Sequence, residues 1–199
     1  MKKFLMVNLM LFLSAIILVV YYFSVYSDIS DNVIRLHIIA NSDSDYDQGV
    51  KMSVRDEIIK RMQTELEKDS DREDIIASVG EIEKTANTYL KKLGADYGAR
   101  AEFENVKIPR KVYNGIVMPE GKYSAIRVKL GVGKGENWWC VCYPPLCFTE
   151  DVFGKMSDEG EAKLKSEIGK NGYRVIGSDV KYELFLVEFA EKVMRYIVK

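Results

Sequence analysis

Between Lys3 and Asp28 the chain carries no charged residue, and from Phe4 to Phe23 it reads FLMVNLMLFLSAIILVVYYF, broken only by Asn8 and Ser14. Twenty such residues in a helix rise about 30 Å, the thickness of a bilayer's hydrocarbon core. With no polar stripe, a helix of this kind has no face to turn to water, so it is not a core helix of a soluble domain. Lys2 and Lys3 precede the run, and Asp28 and Asp31 follow it. A positive start favours export of what comes after. The run serves either as a retained anchor or as a signal peptide, for which Val25-Tyr26-Ser27 supplies an acceptable cut before Asp28. The expected organisation is a leader over residues 1–27 and one extracytoplasmic domain over 28–199.

Charge narrows the functional classes. The chain has 29 Lys and Arg against 30 Asp and Glu, a formal net charge of −1, and two of the basic residues lie in the leader. A mildly acidic domain offers no field for nucleic acid.

Along the domain, Val33 to Ala40 reads as a strand, and Asn41-Ser42-Asp43-Ser44-Asp45 as a strand-to-helix loop of turn and cap residues. Val50, Val54, Ile58, Met62 and Leu66 recur every four residues and predict a helix from about Tyr46 to Glu67. Ser70-Asp71-Arg72-Glu73 has the form of a capping box for a second helix, which Gly94 stops. Alternation then takes over, with a strand through Ala99, Ala101 and Phe103. Tyr123–Val132 and Trp138–Tyr143 are read as two strands of a hairpin around a Gly-rich loop. Residues from Tyr182 onward suggest a short strand and a closing amphipathic helix. The expected fold is α+β, a mixed or antiparallel sheet packed against helices behind an N-terminal hydrophobic helix.

Few segments carry recognisable chemistry. Neither register of the Asn41–Asp47 loop places glycine and glutamate where an EF-hand needs them. Gly131-x-Gly133-Lys134-Gly135 lacks the hydroxyl and the following helix of a phosphate loop. Cys140, Cys142 and Cys147 do not have a zinc spacing, so no metal or cofactor is expected. They read as thiols packed as small hydrophobes, or as one disulfide and a free thiol. A hydrolase built on His37 with an acidic or cysteine partner is the rival functional reading; it has no nucleophile elbow to support it. What stands out is a dense polar group of Arg35, His37, Asn41, Ser42, Asp43, Asp47, Gln48, Lys51 and Arg55 at the strand–helix corner. It reads either as a solvated face or as a recognition surface.

Two segments of the chain resemble a known family. R-L-H-I-I-A-N-S-D-S-x-x-D-Q (Arg35 to Gln48) with K-M-S-V-R-D (Lys51 to Asp56) is similar to the opening of the stage II sporulation protein R family. P-E-G-K-Y-S-A-I-R-V (Pro119 to Val128) and G-x-G-K-G-E-N-W-W-C-V-C-Y-P-P-L-C-F (Gly131 to Phe148) resemble its second signature. The resemblance covers roughly residues 1–150. It implies cysteines paired as Cys140–Cys147, with Cys142 a departure from the pattern and a free thiol. It also implies a non-enzymatic signal, exported from the forespore of an endospore-forming bacterium into the space between two membranes. There it would trigger a membrane-embedded aspartic-type protease that processes the precursor of sigma-E. The contact residues expected on this reading are Arg35, His37, Asn41, Asp43, Asp47, Gln48, Lys51 and Arg55 at the corner, with Lys134, Trp138 and Trp139 beside it.

Overall fold

The computed structural model describes residues 2–65, 70–113, 116–144 and 158–177. The apolar run is the first part of α1 (Lys2–Asn32), one continuous helix of 31 residues. Most of its described large apolar residues as far as Phe23 are exposed, whereas Val25 and Ile29, with Val33 just beyond the helix, are spaced four apart and buried. The helix therefore crosses the expected boundary at Asp28 without a break, and its last turns belong to the domain core.

β1 (Ile34–Ile39) follows at once, then α2 (Asp45–Glu65), α3 (Arg72–Ala77) and α4 (Val79–Leu93). The four-residue spacing predicted α2 correctly, and Val50, Val54, Ile58 and Met62 are buried. The cap of α3 lies one residue later than expected: Asp71 and Asp74 form the box, each side chain accepting from the other's backbone N–H. Asp74 is as able an acceptor as Glu73, so the same pattern fits two registers and the chain takes the second. α4 ends on Gly94, which adopts the left-handed conformation (φ 73°).

β2 (Ala99–Ile108), β3 (Lys111–Tyr113), β4 (Ile116–Met118), β5 (Gly121–Leu130) and β6 (Asn137–Tyr143) complete the strands, followed by α5 (Asp158–Glu167) and α6 (Gly169–Ile176). The main sheet is mixed, in the order β2-β5-β1-β6, and β3 and β4 form a separate pair. β1 runs parallel to β5 and antiparallel to β6. The expected β5–β6 hairpin is thus not formed: β1 lies between the two strands, and residues 131–136 bridge over its end. A Gly-rich loop between two strands reads alike in sequence whether they pair directly or flank a third. The strand and helix expected after Tyr182 lie outside the described residues.

One face of the sheet, with Ile34, Leu36, Ile38, Ile126, Val128 and Leu130, packs against α2, α3 and α4. Burying an aliphatic side chain of this size contributes about 1.5–3 kcal/mol, so this layer is the main source of stability. The opposite face holds a second core, in which Val25, Ile29 and Val33 meet Tyr123, Val141, Met118, Leu164 and Ile176.

Candidate functional site

β1 ends at the corner where α2 begins, and the turn chemistry of residues 41–45 builds a polar hub there. The Ser44 hydroxyl accepts the Asp47 N–H at 3.2 Å, capping the first turn of α2. The Asp47 carboxylate in turn accepts from Ser42 (2.5 Å), Asn41 (2.9 Å) and the Tyr97 hydroxyl (2.5 Å). Ser42 and Tyr97, followed by Asn41 and Ser44, hold Asp47 below the usual carboxylate range, against the opposing effect of burial. Burial, and then the carboxylate, raises the Tyr97 hydroxyl well above the ordinary phenol value. Gln48 donates to the Ser42 carbonyl at 2.9 Å and accepts from Lys51 at 2.6 Å; Lys51 also donates to the Glu136 carbonyl at 3.1 Å. Burial lowers the Lys51 pKa from its ordinary value, partly offset by Glu136 and Asp43.

The Gly-rich loop is stitched onto this hub. Asn41 accepts the Val132 N–H on its side chain and the Lys134 N–H on its carbonyl. Asp43 accepts the Glu136 N–H at 2.7 Å, and Ala40 accepts the Gly135 N–H at 2.9 Å. Gly131 and Gly133 have positive φ, and a Cβ at Gly135 would overlap the Ser42 carbonyl. The glycine spacing therefore answers to close backbone approach, not to a phosphate.

The remaining corner residues lie elsewhere. Arg35 and His37 alternate on the opposite face of β1, and both are buried. Arg35 lies between the Tyr113 and Tyr123 rings, 5.3 and 5.2 Å from their centroids, and donates to the Cys140 carbonyl and the Tyr113 hydroxyl. His37 stacks on Trp139 with ring centroids 3.6 Å apart, and its Nε2 is 2.6 Å from the Asn137 side-chain oxygen. Desolvation pulls the His37 pKa down to about 4, with Arg127 acting in the same direction, so the ring is neutral and donates to Asn137. Arg55, on α2, lies over the Trp138 ring at 5.3 Å and pairs with Asp56. Trp138 and Trp139 are both half-buried on opposite sides of β6.

Exposure separates support from surface. Of the polar set, Arg35, His37, Asp47, Lys51 and Arg55 are buried, so the solvated-face reading does not apply to them. What the corner shows to solvent is Asp43, Ser44, Asp45, Tyr46, Val132, Lys134, Glu136 and Asn137. Tyr46 and Val132, 56% and 62% exposed, were missed by sequence reasoning. The signal was available in two bulky apolar residues inside segments otherwise made of turn formers.

Among the described residues no group of His, Cys, Asp and Glu could hold a metal. Cys140 is disulfide-bonded, while Cys142 is a free, buried thiol that desolvation pushes up to about 12; Cys147 lies outside the described residues. A thiol in that state is a poor nucleophile.

Residues 30–152 match the family model described as Stage II sporulation protein R. The chain belongs to the stage II sporulation protein R family. A curated relative, Stage II sporulation protein R of Bacillus subtilis (strain 168), is 39% identical over 143 residues, which cover 70% of this chain and 64% of that protein. The aligned part thus spans somewhat under two thirds of that relative's length. No solved structure matches. The family match takes in the whole corner, the 131–136 loop and β6, and it begins at the buried end of α1 rather than in the apolar run.

Proposed function

We propose that this protein is an exported signal of endospore formation, acting by contact and not by catalysis. The domain is delivered from the forespore into the space between the two membranes. There it binds a membrane-embedded aspartic-type protease of the mother cell and biases it toward its active state, and the protease then shortens the sigma-E precursor. One observation carries the reading: within a sporulation family, the chain spends a network of the half-buried Asn41, Ser42 and Gln48 around the buried Asp47 and Lys51 on fixing two loops whose outer edge is Tyr46, Val132 and Lys134. An aromatic and an aliphatic side chain beside a cation suit the core of a protein contact. Of the expected contact residues, Asp43 and Lys134 are exposed at this edge, Asn41, Asp47, Gln48 and Lys51 support it from beneath, and Arg35 and His37 fill the other face of the sheet.

The test is co-expression of the full chain with the protease and the sigma-E precursor in a host that does not sporulate. Shortening of the precursor only when all three are present is the expected result. An unprocessed precursor, with all three proteins folded and correctly located, would contradict the proposal.

A further inference from the structure

The apolar run and the domain core share one helix, which bears on the fate of the leader. Val25, Tyr26 and Ser27 are the residues that a peptidase cutting before Asp28 would have to bind in extended form, yet they are helical and in part packed away. Val25 is buried in the second core. The Tyr26 ring meets Tyr123 edge-on at 6.4 Å, its hydroxyl lies 3.5 Å from the Lys122 carbonyl, and it fills the space a Cβ at Gly121 would need. Ile29 packs near Gly172 of α6. Ser27 and Asp28 are exposed, but the cut site lies inside a continuous helix with Val25 buried and Tyr26 half-buried, and a peptidase would have to unwind and undock that turn to reach it.

Tyr26 also marks where α1 leaves the domain, at the end of the sheet where β5 starts and β2 stops. Lys107 and Lys122 are register partners there, and Arg110, just before β3, and Lys111, its first residue, follow. Lys107, Arg110 and Lys122 are exposed, and so is Val112, at 60%. Glu120 pairs with Lys107 at 3.2 Å. The polar hub lies at the other end of β1 and β5, and the ten residues of β5 place it about 30 Å away.

We propose that α1 is retained as an anchor, and that the sheet end bearing Lys107, Arg110, Lys111 and Lys122 rests on anionic phospholipid headgroups of the bilayer α1 enters. The corner is then held upright, facing away from its own membrane. This does not depend on which partner the corner binds. Juxtamembrane Lys and Arg residues within a Debye length of an anionic surface are attracted to it, and Val112 supplies an apolar contact at the interface.

Two measurements on the full chain test it. Expressed with a C-terminal tag in an exporting bacterium, the protein should be found in the membrane with the intact mass that includes residues 1–27. A soluble product beginning near Asp28 would overturn retention. For the lipid contact, the Val112→Cys chain carries a polarity-sensitive fluorophore and is placed in nanodiscs of phosphatidylcholine alone or with phosphatidylglycerol. Emission should rise about twofold in the anionic discs, and fall back in ~1 M salt or in the Lys111→Glu/Lys122→Glu background. Equal emission in both lipids, with the chain folded and inserted, would overturn the headgroup contact while leaving the proposed signalling role untouched.

Discussion

Two polar clusters flank β1 and are built to opposite standards. In the hub around Asp47, no buried side-chain atom of Asn41, Ser42, Asp47, Gln48 or Lys51 lacks a partner. On the other side, Arg35 Nη1 and His37 Nδ1 are buried without one. A satisfied network favours one geometry, because its members constrain one another and loss of a shared acceptor weakens several bonds at once. A partly satisfied one gains little over an apolar filling of the same volume, since desolvation cancels most of its attraction. The comparison assigns the hub to shaping the corner, and Arg35 and His37 to filling the sheet's second face.

The sharpest way to break this distinction is to remove the hub's acceptor. Asp47→Ala removes the acceptor shared by Ser42, Asn41 and Tyr97 and should cost about 3 kcal/mol in urea unfolding. A loss under about 1 kcal/mol would show that the network is not cooperative.

Next in size is a pH effect on the opposite cluster. His37 is neutral in the fold, with a pKa lowered from 6.5 to about 4, so the unfolded chain binds more protons between those values. Stability should therefore be full above pH ~6.5 and fall as the pH drops toward ~4, by at most about 3 kcal/mol at roughly 1.4 kcal/mol per unit. His37→Phe keeps the stack on Trp139 and should flatten that part of the unfolding-pH curve. Asp47, with its lowered pKa, contributes stability above the ordinary carboxylate value that is lost at still lower pH.

Smaller again, Gly135→Ala forces the loop away from the Ser42 carbonyl and should cost about 1–3 kcal/mol by thermal unfolding. The smallest change is expected for Arg35→Met. It trades an incompletely paired buried cation for an apolar chain and should shift stability by no more than about 1 kcal/mol in either direction. A large loss there would place Arg35 on the same footing as Asp47.

Much of the architecture could be read from the residues alone. The spacing of Val50, Val54, Ile58 and Met62 located α2, Gly94 located the end of α4, and the turn formers at 41–45 located the corner. Family membership was legible from the same segments. Two features were hidden. That β1 separates β5 from β6 depends on long-range pairing, which leaves no local mark on a loop of six residues. That Arg35 and His37 are interior was masked by their alternation with Ile34, Leu36 and Ile38, the pattern of a strand with one wet face. The second core, brought by α1, the β3–β4 pair, α5 and α6, covers that face. The exposed pair Tyr46 and Val132 stood out only once the hub beneath them was seen to be buried.

The central claim is that the corner's outer edge, shaped by the hub, is the contact surface of the signal. The direct measurement is the rate of sigma-E precursor processing in the three-component co-expression, with the Tyr46→Ala/Val132→Asp/Lys134→Glu chain compared with the unaltered one. All three side chains are at least half in solvent or lie in an exposed loop, so the variant should unfold at an unchanged temperature. The account predicts a loss of processing of about tenfold or more, as expected when interface anchors are removed. Processing at the unaltered rate by this folded variant would contradict it.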